Sequence, residues 1–218
     1  MFFVLGIPGR EEMTFATLSA LVVRGGAEML PANHRTLIWH GPPTSPPPSH
    51  PLWASQWIVG PPGGGRHDYW DAIMMAAHVA PLVDDKCNGV VIVEDDVMPS
   101  TGACLRMCAW QSPHVTTFYN GSGRPEGTFV PDDSFSGVCA VKFPLPTLAK
   151  LAAINPDYYA RPGEGPHLQD FALSRALADM GELMYQHKSL VQHVGVHSMC
   201  NPRARLDGHR QAKDFEDV

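Results

Sequence analysis

Apolar residues along this chain fall in short blocks closed by glycine or proline, and the blocks alternate between a strand-like and a helix-like period. Phe2 to Ile7 is a near-continuous apolar run stopped by Pro8-Gly9, which predicts a strand buried on both faces. Thr14 to Arg24 places Phe15, Leu18, Leu21 and Val22 on a helical period ahead of Gly25-Gly26, which predicts a helix and its stop. Thr36 to Trp39 and Trp57 to Val59 read as short strands. Residues 41 to 51 hold six prolines and read as a polyproline-like loop. His67 to Ala80 follows as a helix, and Val90 to Val93 as a buried strand.

The second half is less regular. Strands are predicted at Val115 to Tyr119, Gly137 to Phe143 and Ser189 to Val194, and helices at Leu145 to Ala153 and Leu168 to Met180. Gly121 to Gly127 and Gly163 to Pro166 read as loops. Strand–helix–strand alternation argues for an α/β fold, a Rossmann-like, mostly parallel sheet flanked by helices in a single domain. Residues 1–98 would form a nucleotide-binding half, residues 99–200 an acceptor or catalytic half, and residues 201–218 a polar tail. In such sheets ligands bind beyond the carboxyl ends of the strands, where Pro8-Gly9-Arg10 and Glu94-Asp95-Asp96 both fall.

Composition narrows the classes. A net charge of -6 disfavours a surface that grips nucleic acid throughout. The five cysteines show no zinc-ligand spacing and read as reduced thiols, with Cys104 and Cys108 on one helix face. The opening residues lack a basic leader and a long apolar core. No run approaches the ~20 apolar residues of a bilayer span. A soluble, cytoplasmic protein without a membrane partner is expected.

Val90-Val91-Ile92-Val93-Glu94-Asp95-Asp96 carries the first chemical signal. Three acids at the end of an apolar strand repel one another unless a cation lies among them. Oxygen donors suit Mn²⁺ or Mg²⁺ with diphosphate oxygens alongside. In an extended chain Glu94 and Asp96 share a face, and Asp95 faces away toward a ribose or a backbone amide. A solvated acidic turn is the alternative. His193 and His197 flank Gly195 in an otherwise apolar run. His193 is the preferred metal ligand, with His197 and Ser198 placed for diphosphate oxygens; buried core histidines are the alternative. Asp170, near a helix start, is either favoured there by the helix dipole or is a general base that takes a proton from a hydroxyl. Arg10 and Arg66 are candidates for a base or phosphate, beside Asp68. Gly63-Gly64-Gly65 lacks the Gly-Lys-Ser/Thr ending of a P-loop, and no Gly-x-Gly-x-x-Gly follows the first strand.

These motifs together resemble the N-acetylglucosaminyltransferase IV family of GT-A glycosyltransferases. Gly6-Ile7-Pro8, Arg10-Glu11 and Thr17-Leu18-Ser19-Ala20-Leu21 resemble that family's opening. Glu94-Asp95-Asp96 resembles its metal motif, and Ser189 to Ser198 its closing motif. Phe135-Ser136-Gly137 resembles its acceptor-loop strand. The resemblance implies a GT-A domain over residues 1–200 in a minimal, soluble bacterial or phage form. It implies a metal held by Asp96 and His193, a UDP-sugar donor contacted by Ile7, Pro8, Arg10, Arg66, Glu94, Asp95, His197 and Ser198, and Asp170 as the base of an inverting transfer. The acceptor would be a glycan or a hydroxymethylated base in phage DNA. The basic cluster Arg203, Arg205, His209, Arg210 and Lys213 is either a phosphate contact or a solvated tail. A metal-dependent nucleotidyltransferase or phosphodiesterase, and a non-catalytic sugar-nucleotide binding module, are the competing classes.

Overall fold

A computed structural model describes residues 1–59, 66–130, 138–162, 169–194 and 212–215, with Arg66 and Val130 described by backbone only. Four strands come first: β1 (Phe2–Gly6), β2 (Arg35–Gly41), β3 (Ala54–Val59) and β4 (Gly89–Glu94). Helix α1 (Glu11–Val23) links β1 to β2, and α2 (Arg66–Val83) links β3 to β4. Then follow β5 (Val97–Pro99), α3 (Ala103–Ala109), β6 (Val115–Thr117), β7 (Phe129–Val130) and β8 (Ala140–Pro144). The described elements end with α4 (Leu145–Ala152), α5 (Gln169–Asp179), β9 (Met184–Gln186) and β10 (Val191–His193).

One eight-stranded sheet has the order β3-β2-β1-β4-β8-β6-β9-β7. The first four strands run parallel. Strand β8 lies antiparallel between β4 and β6, β9 is parallel to β6, and β7 closes the edge antiparallel to β9. The α/β class with a mostly parallel sheet and flanking helices is therefore as expected. The central strands β1 and β4 are almost wholly apolar and buried because both faces of the sheet are covered there. Alternation sends Phe3, Val90 and Ile92 toward a core with Trp70 of α2, Leu148 of α4 and Leu173 of α5. Phe2, Val4, Val91 and Val93 face the opposite core, with Leu18 and Leu21 of α1 and Met107 of α3.

Several boundaries differ from expectation for physical reasons. Helix α1 starts at Glu11 rather than Thr14, because Glu11 and Glu12 favour the first turn electrostatically. Strand β3 begins at Ala54, ahead of the expected Trp57, and its exposed Ser55 and Gln56 pair with β2 as an edge. Strands β5 and β10 form a separate antiparallel ribbon. Residues 212–215 dock on the fold: Lys213 N–H donates to the Asn120 carbonyl and Ala212 N–H to Gln192 Oε1. Among the described residues no helix is long and apolar enough to cross a membrane.

Candidate functional site

Parallel pairing of β1 with β4 puts Leu5 opposite Glu94, so the segments leaving both strands meet at the carboxyl edge of the sheet. A cleft of about 410 Å³, counting its open mouth, lies there, lined among others by Ile7, Arg10, Asp68, Tyr69, Glu94 and Gln169. Pro8 stands beside this cleft against the end of β2. A Cβ on Gly41 would meet Pro8 Cγ at 2.6 Å, so that position requires glycine.

The acidic triplet is arranged differently from the expected alternation. The chain leaves the strand at Glu94 and turns through Asp95 and Asp96. Asp95 and Asp96 therefore converge instead of facing apart: Arg10 Nη2 lies 3.0 Å from Asp95 Oδ1 and 2.5 Å from Asp96 Oδ2. Asp95 is pinned to α1 as well, with its Oδ2 accepting from Thr14 Oγ1 at 2.9 Å and its carbonyl from Thr17 Oγ1 at 2.7 Å. Both Asp95 oxygens are thus engaged inside the protein, and the residue is 3% exposed.

Asp96 meets His193 as well as Arg10. His193 Nε2 lies 3.2 Å from Asp96 Oδ2, because the β5–β10 ribbon sets His193 opposite Val97 and Val194 N–H donates to the Asp96 carbonyl. Asp96 Oδ1 is buried and makes no hydrogen bond. Burial works to raise the Asp96 pKa, but the hydrogen bond and charge of His193, and then Arg10, hold it down at about 2. An ionised carboxylate with one orphaned buried oxygen beside an imidazole fits a divalent cation.

Glu94 behaves oppositely. Burial, then the charges of Asp96 and Asp170, push it up to about 7. Its Oε1 accepts from Gln169 Nε2 at 3.1 Å. Gln169 and Asp170 open α5, and Asp170 is close enough to bias Glu94, Tyr69 and Cys139 electrostatically. For Arg10, burial disfavours the charge, but Asp95 and Asp96 outweigh it and keep the guanidinium charged well beyond its ordinary range.

Ile7, Arg10, Glu94, Asp95, Asp96 and His193 thus gather at one sheet edge, with Asp170 near. The Arg66 side chain, His197, Ser198, Phe135-Ser136-Gly137 and the basic residues 203–210 lie outside the described residues. Two groupings escape a reading of the sequence. His40 Nδ1 stands 2.9 Å from Asp68 Oδ1 and 3.3 Å from Asp71 Oδ2, joining β2 to α2. Ligand atoms of Glu94, Cys139 and His193 all lie within 4.8 Å of one another. Cys139 follows from strand register alone: Val93 opposes Ala140 and Glu94 N–H donates to the Cys139 carbonyl. A single sequence does not display that register.

No protein-family model matches the chain, and no curated protein matches it. Among solved structures it resembles the nucleoside-diphosphate-sugar pyrophosphorylase from Vibrio cholerae RC9, with a TM-score of 0.53 and 10% sequence identity. The match covers 88% of this chain and 94% of that one. At that identity the likeness is one of fold.

Proposed function

We propose that this protein is a metal-dependent enzyme of nucleotide sugars that transfers a sugar from a UDP-sugar to an acceptor hydroxyl. The observation that carries the proposal is Asp96, held ionised beside His193 with Oδ1 buried and unpartnered, next in the chain to Glu94 and Asp95 of the cleft lining. Asp96 and His193 would hold the metal, Mn²⁺ or Mg²⁺, which when bound stabilises the diphosphate leaving group. Arg10 keeps Asp95 and Asp96 together against their mutual repulsion. Ile7 and Pro8 border the donor, and the family resemblance assigns His197 and Ser198 to its diphosphate. Asp170 takes the proton of the acceptor hydroxyl, and attack at the anomeric carbon inverts it. This is the chemistry of the GT-A family that the motifs resemble; the acceptor is a glycan or a modified DNA base.

Nucleotidyl transfer is the second reading, and the fold favours it: the solved structure it resembles is a nucleoside-diphosphate-sugar pyrophosphorylase. Against it, Pro8-Gly9-Arg10-Glu11 after β1 is a poor version of the basic glycine-rich loop that nucleotidyltransferases usually carry there. Product analysis separates the two. Incubation with UDP-sugars and Mn²⁺ releases UDP if a sugar is transferred or hydrolysed. Formation of UTP from UDP-sugar and pyrophosphate identifies nucleotidyl transfer instead.

A further inference from the structure

We infer that Glu94, Cys139 and His193 form a site for a thiophilic divalent cation, Zn²⁺ in class, which shares His193 with the hard-cation pair Asp96–His193. The three side chains come from three elements. Glu94 ends β4, Cys139 stands opposite it just before β8, and His193 lies on β10. Their oxygen, sulfur and nitrogen donors fall within 4.8 Å of one another. Around one zinc ion such donors are about 3.5 Å apart, given bonds of roughly 2.0–2.3 Å. Closure therefore needs only a small rotation of each side chain. Cys139 is 5% exposed, and its carbonyl already accepts from Glu94 N–H at 3.0 Å.

The donor set decides the metal. Thiolate with imidazole selects Zn²⁺, Co²⁺ or Cd²⁺, whereas Mn²⁺ and Mg²⁺ prefer oxygen. As the metal–sulfur bond forms, the thiol proton leaves to solvent, and no electron changes hands. Three protein ligands leave a fourth position open to water. Where both ions take the same ring nitrogen of His193, whose Nε2 lies 3.2 Å from Asp96 Oδ2, a thiophilic ion excludes the hard one. That exclusion rests on the proposed Asp96–His193 site; the thiolate site does not.

Titrating the full-length protein with Co²⁺ tests the assignment, since thiolate ligation gives a ligand-to-metal charge-transfer band in the near ultraviolet. The band is expected in the unaltered protein and lost in Cys139→Ser. Glu94→Gln, which leaves the thiol in place, is expected to weaken Co²⁺ binding about tenfold or more. No band in the unaltered protein overturns the site. So does a band of equal strength in Cys139→Ser, which would place the ligand at another thiol, and so does unchanged Co²⁺ affinity in Glu94→Gln. Should Cys139→Ser not fold, the Glu94→Gln titration decides alone. The band is read without any nucleotide or turnover, so failure of the proposed function leaves this test unaffected.

Discussion

Asp96 and Glu94 are two residues apart, yet their carboxyl groups sit at opposite ends of the acid range. Asp96 is held ionised by His193 and Arg10, while Glu94 is buried among like charges and pushed up to about 7. Asp96→Asn keeps the shape but removes the charge, and is expected to lower metal-dependent turnover about a hundredfold or more. Asp170→Asn is expected to lose about a hundredfold in kcat for transfer while donor binding persists; equal loss of binding would remove its role as base. Glu94 also sets a pH dependence. Its folded pKa of about 7 exceeds the ordinary 4.5, so its contribution to stability is full below about 4.5 and is lost as pH rises through about 7. Burial pushes Asp95 up to about 7 as well, so melting of the metal-free protein in chelator should weaken between pH 5 and 8, and Glu94→Gln should reduce that slope and leave the share of Asp95. An identical slope in the variant would contradict the assignment. The acids were legible as residues, because a run of apolar β-formers ending in three carboxylates is unusual. Their pairing was not. It depends on a turn at Asp95 and Asp96 that brings both acids onto Arg10.

Two anchors at the scale of elements give separable outcomes. Lys142 of β8 is buried, and its Nζ donates to the carbonyls of Met107, Cys108 and Trp110 at 3.1, 2.7 and 2.6 Å, closing the end of α3. A cation there matches the negative helix terminus, although burial lowers its pKa. Lys142→Met strands those carbonyls and is expected to cost about 2 kcal/mol or more, read by denaturant unfolding, with metal affinity unchanged. Asp214 anchors the other side. Its carboxylate accepts from Ser189 N–H and Oγ and from Asn120 Nδ2, next to the short strand β10 that carries His193. Asp214→Ala is expected to weaken Mn²⁺ about tenfold while moving the metal-free melting temperature less than Lys142→Met does. Neither anchor is visible in sequence. A lysine in an apolar strand and an aspartate in a polar tail look like surface charges until β8 and residues 212–215 are placed. By contrast β1, β4 and α2 were readable, because central parallel strands and long helices bear their patterns openly. Strands β5, β7 and β9 span two or three residues each, too short to show a period.

At the scale of the molecule, one sheet runs unbroken across the division expected near residue 98: β4 from the first half pairs with β8 from the second. That pairing and the β5–β10 ribbon bring the second half's Cys139 and His193 to the first half's acids. The central claim is a metal site at Asp96 and His193 that carries a nucleoside diphosphate. Calorimetric titration of UDP into the protein, with Mn²⁺ and with chelator, tests it most directly. The account predicts UDP binding with Mn²⁺ that weakens at least tenfold in chelator and is lost in Asp96→Asn. Binding that is equal with and without metal, or that survives Asp96→Asn unchanged, would contradict it.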